Sequence, residues 1–270
     1  MPELPEVEAI RRQLLPSLVG SRIAAATILK PSLTRGTDPA VLHLPRPGST
    51  VTAIDRRGKL LALRLGNGAT ILVHLGMDGS LLMESSDAPV GPGHGVLLRL
   101  DRGRRLSYLT RRKLGFVRFL SAEASEKRWE GLGPDALDLD ATAFSAIAAR
   151  RRQLKPLLLD QFLLSGLGNI LVDESLHRAG LHPLTRGCDL SPRRCETLHG
   201  AILEVIGESI AAGGSSIDDH ALPDGCPGSF QESHRVYGRK GLPCPACGTP
   251  IKRIVVATRG THFCPRCQRR

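Results

Sequence analysis

The sequence predicts an α+β protein, and three observations carry that prediction. Short β-like runs divided by turn signals fill residues 21–120, the hydrophobic period becomes helical from Asp135, and two Cys-x-x-Cys pairs close the chain. At 270 residues there is room for two domains of ordinary size. The pattern divides into a β-sandwich or flattened barrel over 1–120, a linker over 121–134, a helical domain over 135–229 and a metal-held hairpin over 235–270.

The elements follow in order. After Pro5, the apolar positions Val7, Ile10, Leu14 and Leu18 fall at helical spacing, and Pro16 and Gly20 mark the end of that helix. Strands are expected over 23–29, 50–55, 60–65, 69–75, 96–100 and 116–120, with hairpin turns at Gly66-Asn67-Gly68 and Asp101-Arg102-Gly103. Helices are expected over 141–152, 156–164, 169–179 and 191–212. Ser165-Gly166-Leu167-Gly168-Asn169 is a glycine turn opening a helix, which is either a phosphate cradle or a tight connection between packed helices. Residues 213–229, rich in Gly, Ser, Asp and Pro, read as a long mobile loop of the functional kind.

Charge narrows the partner. A formal net charge of +11 favours a polyanion, because lysines and arginines at phosphates release counterions on binding. A membrane surface is the competing polyanion, but the chain has no apolar run of about 18 residues and no signal-peptide pattern, so a soluble intracellular protein is expected.

The cysteines point to metal. Seven is an odd count, and Cys244, Cys247, Cys264 and Cys267 form two pairs separated by sixteen residues, the spacing of a structural zinc site with four thiolates. Cys188, Cys195 and Cys226 remain as free thiols. From Arg235 to Arg270 there are nine lysines and arginines and no acids, so the hairpin is expected to meet nucleic acid.

The first residues carry possible chemistry. Removal of Met1, which a small second residue permits, would leave Pro2 with a free α-amine of pKa roughly 8. Such an amine can attack a sugar C1′, displace a base and form an iminium, with Glu3 supplying acid–base catalysis. Pro2 and Pro5 also read simply as a helix start. Six residues leave both readings open.

With both ends in view, the chain resembles the formamidopyrimidine-DNA glycosylase family along essentially its whole length. The resemblance rests on MPELPEVE at 1–8, HLGM at 74–77, KPLLLDQ at 155–161, GLGNILVDE at 166–174, VYGRKGLPCPACGTPI at 236–251 and TRGTHFCPRCQ at 258–268. It implies an N-terminal β-sandwich, a helix-two-turn-helix domain and a zinc finger. It also implies a monomeric bacterial cytoplasmic, nucleoid-associated base-excision repair enzyme. Such an enzyme would remove 8-oxoguanine and formamidopyrimidines from double-stranded DNA with the damaged nucleotide flipped out, then cut the strand by β,δ-elimination.

The resemblance assigns catalysis to Pro2, Glu3, Lys59 and Arg259, and DNA contacts to His74, Met77, Arg112, Leu114, Lys155, Asn169, Tyr237 and Arg259. Glu174 would be a structural or catalytic carboxylate. One segment departs from the family pattern Asp-x-Arg-Lys/Arg-Phe-Gly: this chain has Thr110-Arg111-Arg112-Lys113-Leu114-Gly115. Leu114 still serves as an apolar wedge, while Thr110 removes the acid beside the arginine. An endonuclease VIII-like enzyme for oxidised pyrimidines and a non-catalytic zinc protein binding damaged DNA remain the alternatives.

Overall fold

The computed structural model describes residues 2–37, 49–217 and 221–269. Met1 lies outside the described residues, as do 218–220 of the expected mobile loop. The chain forms two compact units, 1–130 with 212–229 and 131–211 with 230–270.

In the first unit, α1 (Leu4–Leu18) precedes eight antiparallel strands: β1 (Arg22–Ile28), β2 (Ser49–Arg57), β3 (Leu60–Leu65), β4 (Thr70–His74), β5 (Ser80–Ser85), β6 (His94–Leu100), β7 (Arg104–Leu109) and β8 (Phe116–Leu120). A short α2 (Ala122–Glu126) follows, inside the expected linker. The hydrogen-bonded order is β5-β7-β6-β1-β2-β3-β4-β8. Among the described residues β1 pairs with β2 through Arg22↔Thr50 and Ile23↔Ser49. Around that corner, Leu81, Val96, Leu98 and Leu106 from one half meet Leu63, Val73 and Val117 from the other, which makes the expected sandwich. Val7, Ile10, Leu14 and Leu18 join the same core, so α1 buries the face its period predicts. Pro16 does not end the helix; it sits in the last turn, where it cannot donate to Arg12 O, and the helix stops two residues later.

Strands β5 and β7 lie outside the runs read as strands from the sequence, although the turn expected at 101–103 already points to a return strand at β7. In both, polar and apolar groups alternate: Leu81, Leu106 and Tyr108 face the core, while Glu84, Arg105 and Ser107 share the opposite face. Those groups satisfy one another: Glu84 Oε2 accepts from Arg105 Nη2 at 3.0 Å and from the Ser107 hydroxyl. Segment 212–229, expected with the helical domain, packs in the first unit instead. Met83 N donates to Pro223 O at 3.0 Å, Ser215 N donates to Glu6, and Leu222 lies against the core.

The second unit holds α3 (Ala141–Ala148), α4 (Leu154–Leu158), α5 (Asn169–Arg178) and α6 (Pro192–Ala211). Helices α3 and α4 are shorter than expected. Between them the backbone pairs with a distant segment, through the Gln153↔Arg186 bridge and Leu154 N to Thr185 O. The same unit ends in β9 (Lys252–Val256) and β10 (Arg259–Phe263), an antiparallel hairpin flanked by the four cysteines. Among the described residues no helix is long and apolar enough to cross a membrane.

The four Sγ atoms lie within 4.8 Å of one another, with Cys244–Cys267 at 3.9 Å and Cys247–Cys264 at 3.4 Å. A tetrahedral zinc with Zn–S of about 2.3 Å needs sulfur pairs about 3.8 Å apart, so the cluster fits one zinc. Four protein thiolates leave no open coordination position, and the metal is structural.

Inside the first unit, Glu8 on α1 is nearly inaccessible and binds three arginines. It meets Arg11 at 2.9 Å, Arg12 at 2.8 Å and Arg56 of β2 at 3.0 Å. Burial alone would raise the Glu8 carboxyl, but these guanidinium groups outweigh it and lower the pKa to about 2.

Two expectations follow. The folded protein keeps Glu8 ionised down to about pH 2, whereas the unfolded chain protonates it near 4.5, so its stabilisation is complete above pH 4.5 and lost on acidification toward 2. Glu8→Gln should therefore lower stability at neutral pH by about 3 kcal/mol, because it strands a buried arginine. Urea titrations of both proteins should show that difference shrinking below pH 4.5. For the metal, mass spectrometry of the native protein should find about one zinc per chain. Chelation that removes it should abolish DNA binding while leaving the sandwich's thermal transition in place.

Candidate active site and nucleic-acid interface

The first unit brings the catalytic candidates to the start of α1. Glu3 is the N-cap, extended at φ −104°, ψ −169°, and forms a reciprocal capping box with Glu6. Glu6 Oε2 accepts the Glu3 N–H at 2.6 Å, while the Glu3 side chain accepts from the Glu6 backbone. Pro5 takes an early helical position, where its missing donor costs nothing. Pro2, Glu3 and Glu6 are all buried, so two carboxylates are held beside the proline in low dielectric.

Glu6 was not singled out from the sequence. Its Oε1 accepts the Ser215 N–H at 2.6 Å, tying residues 214–216 to the helix start. Gly214 has φ +81°, and a Cβ there would lie 2.5 Å from Glu6 Cγ, so glycine is required on both counts. Burial, with the Glu3 carboxylate beside it, pushes Glu6 up to about 7 against the pull of its backbone donors. A side chain half-protonated at neutral pH can either accept or donate a hydrogen bond.

Lys59 sits in the two-residue turn of the β2–β3 hairpin, after Gly58 at φ +56°. The turn is tied back to α1. Arg56 Nη1 donates to Gly58 O at 3.1 Å while Arg56 Nε donates to Glu8. Glu8 and Arg56 are thus supports for Lys59 that sequence reading missed, since their contact spans two elements. His74 stands opposite Leu60 across β3 and β4, stacked on Phe116 at 5.4 Å. Burial, then the Lys59 and Arg118 cations, lower His74 to about 4. The ring is therefore neutral at pH 7. Its Nδ1 accepts Gly76 N–H at 3.2 Å, which puts the proton on Nε2. Met77 and Leu114, 40% and 56% accessible, project from neighbouring loops, with Arg112 exposed on the second loop.

The second unit places its candidates differently. Lys155 is fully buried: Nζ meets Asp173 Oδ1 at 2.5 Å and Asn169 O at 3.2 Å. The lysine expected near the DNA thus has its ammonium enclosed and paired in the interior. Asp173 also accepts His262 N at 2.8 Å, so one carboxylate joins α4, α5 and β10. Asn169 opens α5, its Nδ2 donating to Gly260 O at 3.0 Å, and its Oδ1 is buried without a protein partner. Glu174 accepts N–H groups from Arg235, Val236 and Tyr237 at 2.9, 3.0 and 2.8 Å. Tyr237 then packs edge-on against His234 and His262.

Arg259 is exposed immediately after the β9–β10 turn. Ala257 and Thr258 both have positive φ in that turn, +47° and +64°. Side chains other than Gly, Asn or Asp rarely adopt this conformation, so strain is stored beside Arg259. The hairpin ladder that begins at Arg259↔Val256 holds it. Of the sequence-selected residues, the first unit gathers Pro2, Glu3, Lys59, His74, Met77, Arg112 and Leu114, and the second gathers Lys155, Asn169, Tyr237, Arg259 and the cysteines.

Comparison with known proteins accounts for the whole chain. The Formamidopyrimidine-DNA glycosylase N-terminal domain matches residues 1–117, the Formamidopyrimidine-DNA glycosylase H2TH domain 132–221, and the zinc finger found in FPG and IleRS 241–270. A Formamidopyrimidine-DNA glycosylase of Geobacillus kaustophilus is 43% identical over 278 residues, covering 100% of both chains. A variant of Lactococcus lactis FPG in complex with Fapy-dG containing DNA superposes with a TM-score of 0.91 at 35% identity, with 100% of each chain covered. Wild-type Lactococcus lactis Fpg in complex with an oxidised pyrimidine containing DNA gives 0.90 at 34% identity, again with full coverage. Sequence and fold agree along the full length, and the chain belongs to the formamidopyrimidine-DNA glycosylase family.

Proposed function

We propose that the chain is a bifunctional DNA glycosylase and abasic-site lyase of bacterial base excision repair, acting as a cytoplasmic monomer on oxidised purines. The observation that carries this reading is the start of α1: Pro2 and Glu3 stand beside a buried second carboxylate, and Glu8–Arg56 ties the Lys59 turn to the same helix. A protein that only binds DNA needs no such cluster.

With Met1 removed, the Pro2 nitrogen attacks C1′ of the flipped nucleotide, the C1′–base bond breaks and the base leaves with a proton. Glu3 protonates the ring oxygen O4′ as the sugar opens, and the nitrogen lone pair closes an iminium. The iminium acidifies the neighbouring C–H, so successive eliminations expel the 3′ and 5′ phosphates. Lys59 and Arg259 neutralise those phosphates as cations, and His74 contributes an Nε2–H without charge. Asn169 carries one unfilled acceptor and a positioned helix start, and Tyr237 is aimed by Glu174 and its ring neighbours. Lys155 acts on DNA only through Asn169, whose carbonyl it fixes.

Oxidised pyrimidines are a second substrate class to be tested. One relative occurs with both Fapy-dG and an oxidised pyrimidine, so pyrimidine binding does not separate the two branches.

Single-turnover excision on duplexes bearing one 8-oxoguanine, formamidopyrimidine or oxidised pyrimidine, coupled to borohydride trapping, tests the reading. The purine lesions should react fastest, and the trapped adduct should map to Pro2. Trapping undiminished in a form that retains Met1, or mapped to a lysine in Pro2→Gly, would remove Pro2 from its role.

The exposed Leu114 generates a further expectation. Leucine in place of phenylalanine trades base stacking, worth about 1–3 kcal/mol, for apolar contact. Leu114→Phe should raise excision most in stable duplex and least at mismatched, easily unstacked sites. If neither Leu114→Phe nor Leu114→Ala changes the rate in any context, Leu114 is not a wedge.

A further inference from the structure

The loop bearing Arg112 and Leu114 joins β7 to β8, and nothing in its own sequence obliges it to hold one shape. Lys113 has φ +55°, a conformation costing about 1 kcal/mol or more in a residue with a side chain, which persists only where surroundings impose it. The loss of an acid at position 110 removes the obvious local restraint. The structure supplies another from across the gap.

Asp78 follows Met77 directly on the β4–β5 loop. Its Oδ2 accepts the backbone N–H groups of Arg111 at 2.7 Å and Arg112 at 2.8 Å, and its Oδ1 faces the Thr110 hydroxyl at 3.0 Å. Thr110 Oγ1 in turn accepts Lys113 N–H at 3.0 Å, so the hydroxyl proton goes to Asp78 and the oxygen lone pair to Lys113. From β1's side, Lys30 Nζ donates to Thr110 O at 2.6 Å and Gly93 O at 3.1 Å. The two loops also touch as backbones. A Cβ on Gly76 would lie 2.4 Å from Gly115 N, and Gly76 has φ +68°. Partial burial opposes ionisation of Asp78, yet the Arg112, Arg111 and Thr110 donors overcome it and lower its carboxyl below the usual range.

We propose that Asp78 is the positioning residue of the wedge, and the inference rests on the DNA glycosylase reading above. Its carboxylate crosses from the loop of Met77 to the loop of Arg112 and Leu114, so that three side chains enter the duplex as one rigid body. Asp78 itself touches no reacting atom. Its place explains how the chain tolerates threonine at 110: the carboxylate is present, supplied from position 78, while the hydroxyl relays it to Lys113.

The test compares two substrates, using the full-length zinc-loaded protein. Duplex DNA with 8-oxoguanine requires the wedge, whereas single-stranded DNA with an abasic site has no partner base to be held off. Asp78→Ala removes both acceptor oxygens, leaving the Arg111 and Arg112 N–H groups and the Thr110 hydroxyl without this carboxylate. Losing two charge-assisted bonds, it should excise from duplex roughly tenfold to hundredfold more slowly while cleaving the single strand at the wild-type rate. Amide exchange across residues 110–115 should quicken in parallel. The exchange Asp78→Ser with Thr110→Asp returns an acid to the foot of the loop and should restore the duplex rate. Equal losses on both substrates, an unchanged duplex rate, or failure of the paired exchange to restore it would each overturn the proposal. Absence of cleavage by the wild-type protein on either substrate would instead defeat the glycosylase reading itself.

Discussion

The interaction on which the rest of the first unit depends is the burial of α1's beginning with its polar groups satisfied. A helix start leaves N–H groups without intrahelical partners, and burying them unpaired costs about 1–3 kcal/mol each. The Glu3–Glu6 box satisfies them from within the helix, and Glu6 uses its second oxygen on Ser215. Two residues further on, Glu8 takes Arg56 from β2. The proline, the hairpin turn with Lys59 and the 212–229 segment are therefore fixed to one another through carboxylates. A wrong position for any of these would leave a buried charge alone, which is what makes the geometry unique.

The second unit repeats the device. Asp173 and Glu174 are adjacent on α5, both nearly inaccessible, and each closes a different joint: one holds Lys155 and β10, the other three consecutive backbone donors at 235–237. Burial raises Glu174 above its ordinary value, and its three backbone donors oppose that. A strongly basic protein thereby spends interior acids on structure while Arg112 and Arg259 remain outside, which sustains the positive surface a polyanion needs.

Much of the fold was legible because its signals are local. The period of Val7–Leu18, the glycine turns and the paired cysteines each lie within a few residues, and α1, α5, α6 and the zinc-held hairpin formed where they pointed. Strands β5 and β7 carry Glu84, Arg105 and Ser107 on the face opposite Leu106 and Tyr108, and these polar groups are held by one another and, for Arg105, also by Ala88 O. Lys155 takes its expected DNA role from its match to the family motif alone, and its pairing with a buried aspartate 18 residues away is invisible in its own segment.

The sequence by itself determined the class of the fold, the metal ligands, the sign of the partner's charge and the residue types available at the start of α1. Tertiary structure alone decided which groups those residues answer to. Ser215 reaches Glu6 across 209 positions, His262 reaches Asp173 across 89, and Arg112 reaches Asp78 across 34. Periodicity and spacing report what a segment can do with its neighbours, whereas the pairing of a buried charge depends on which distant surface the core brings against it. That choice is made by packing the whole unit, and no window along the chain contains it.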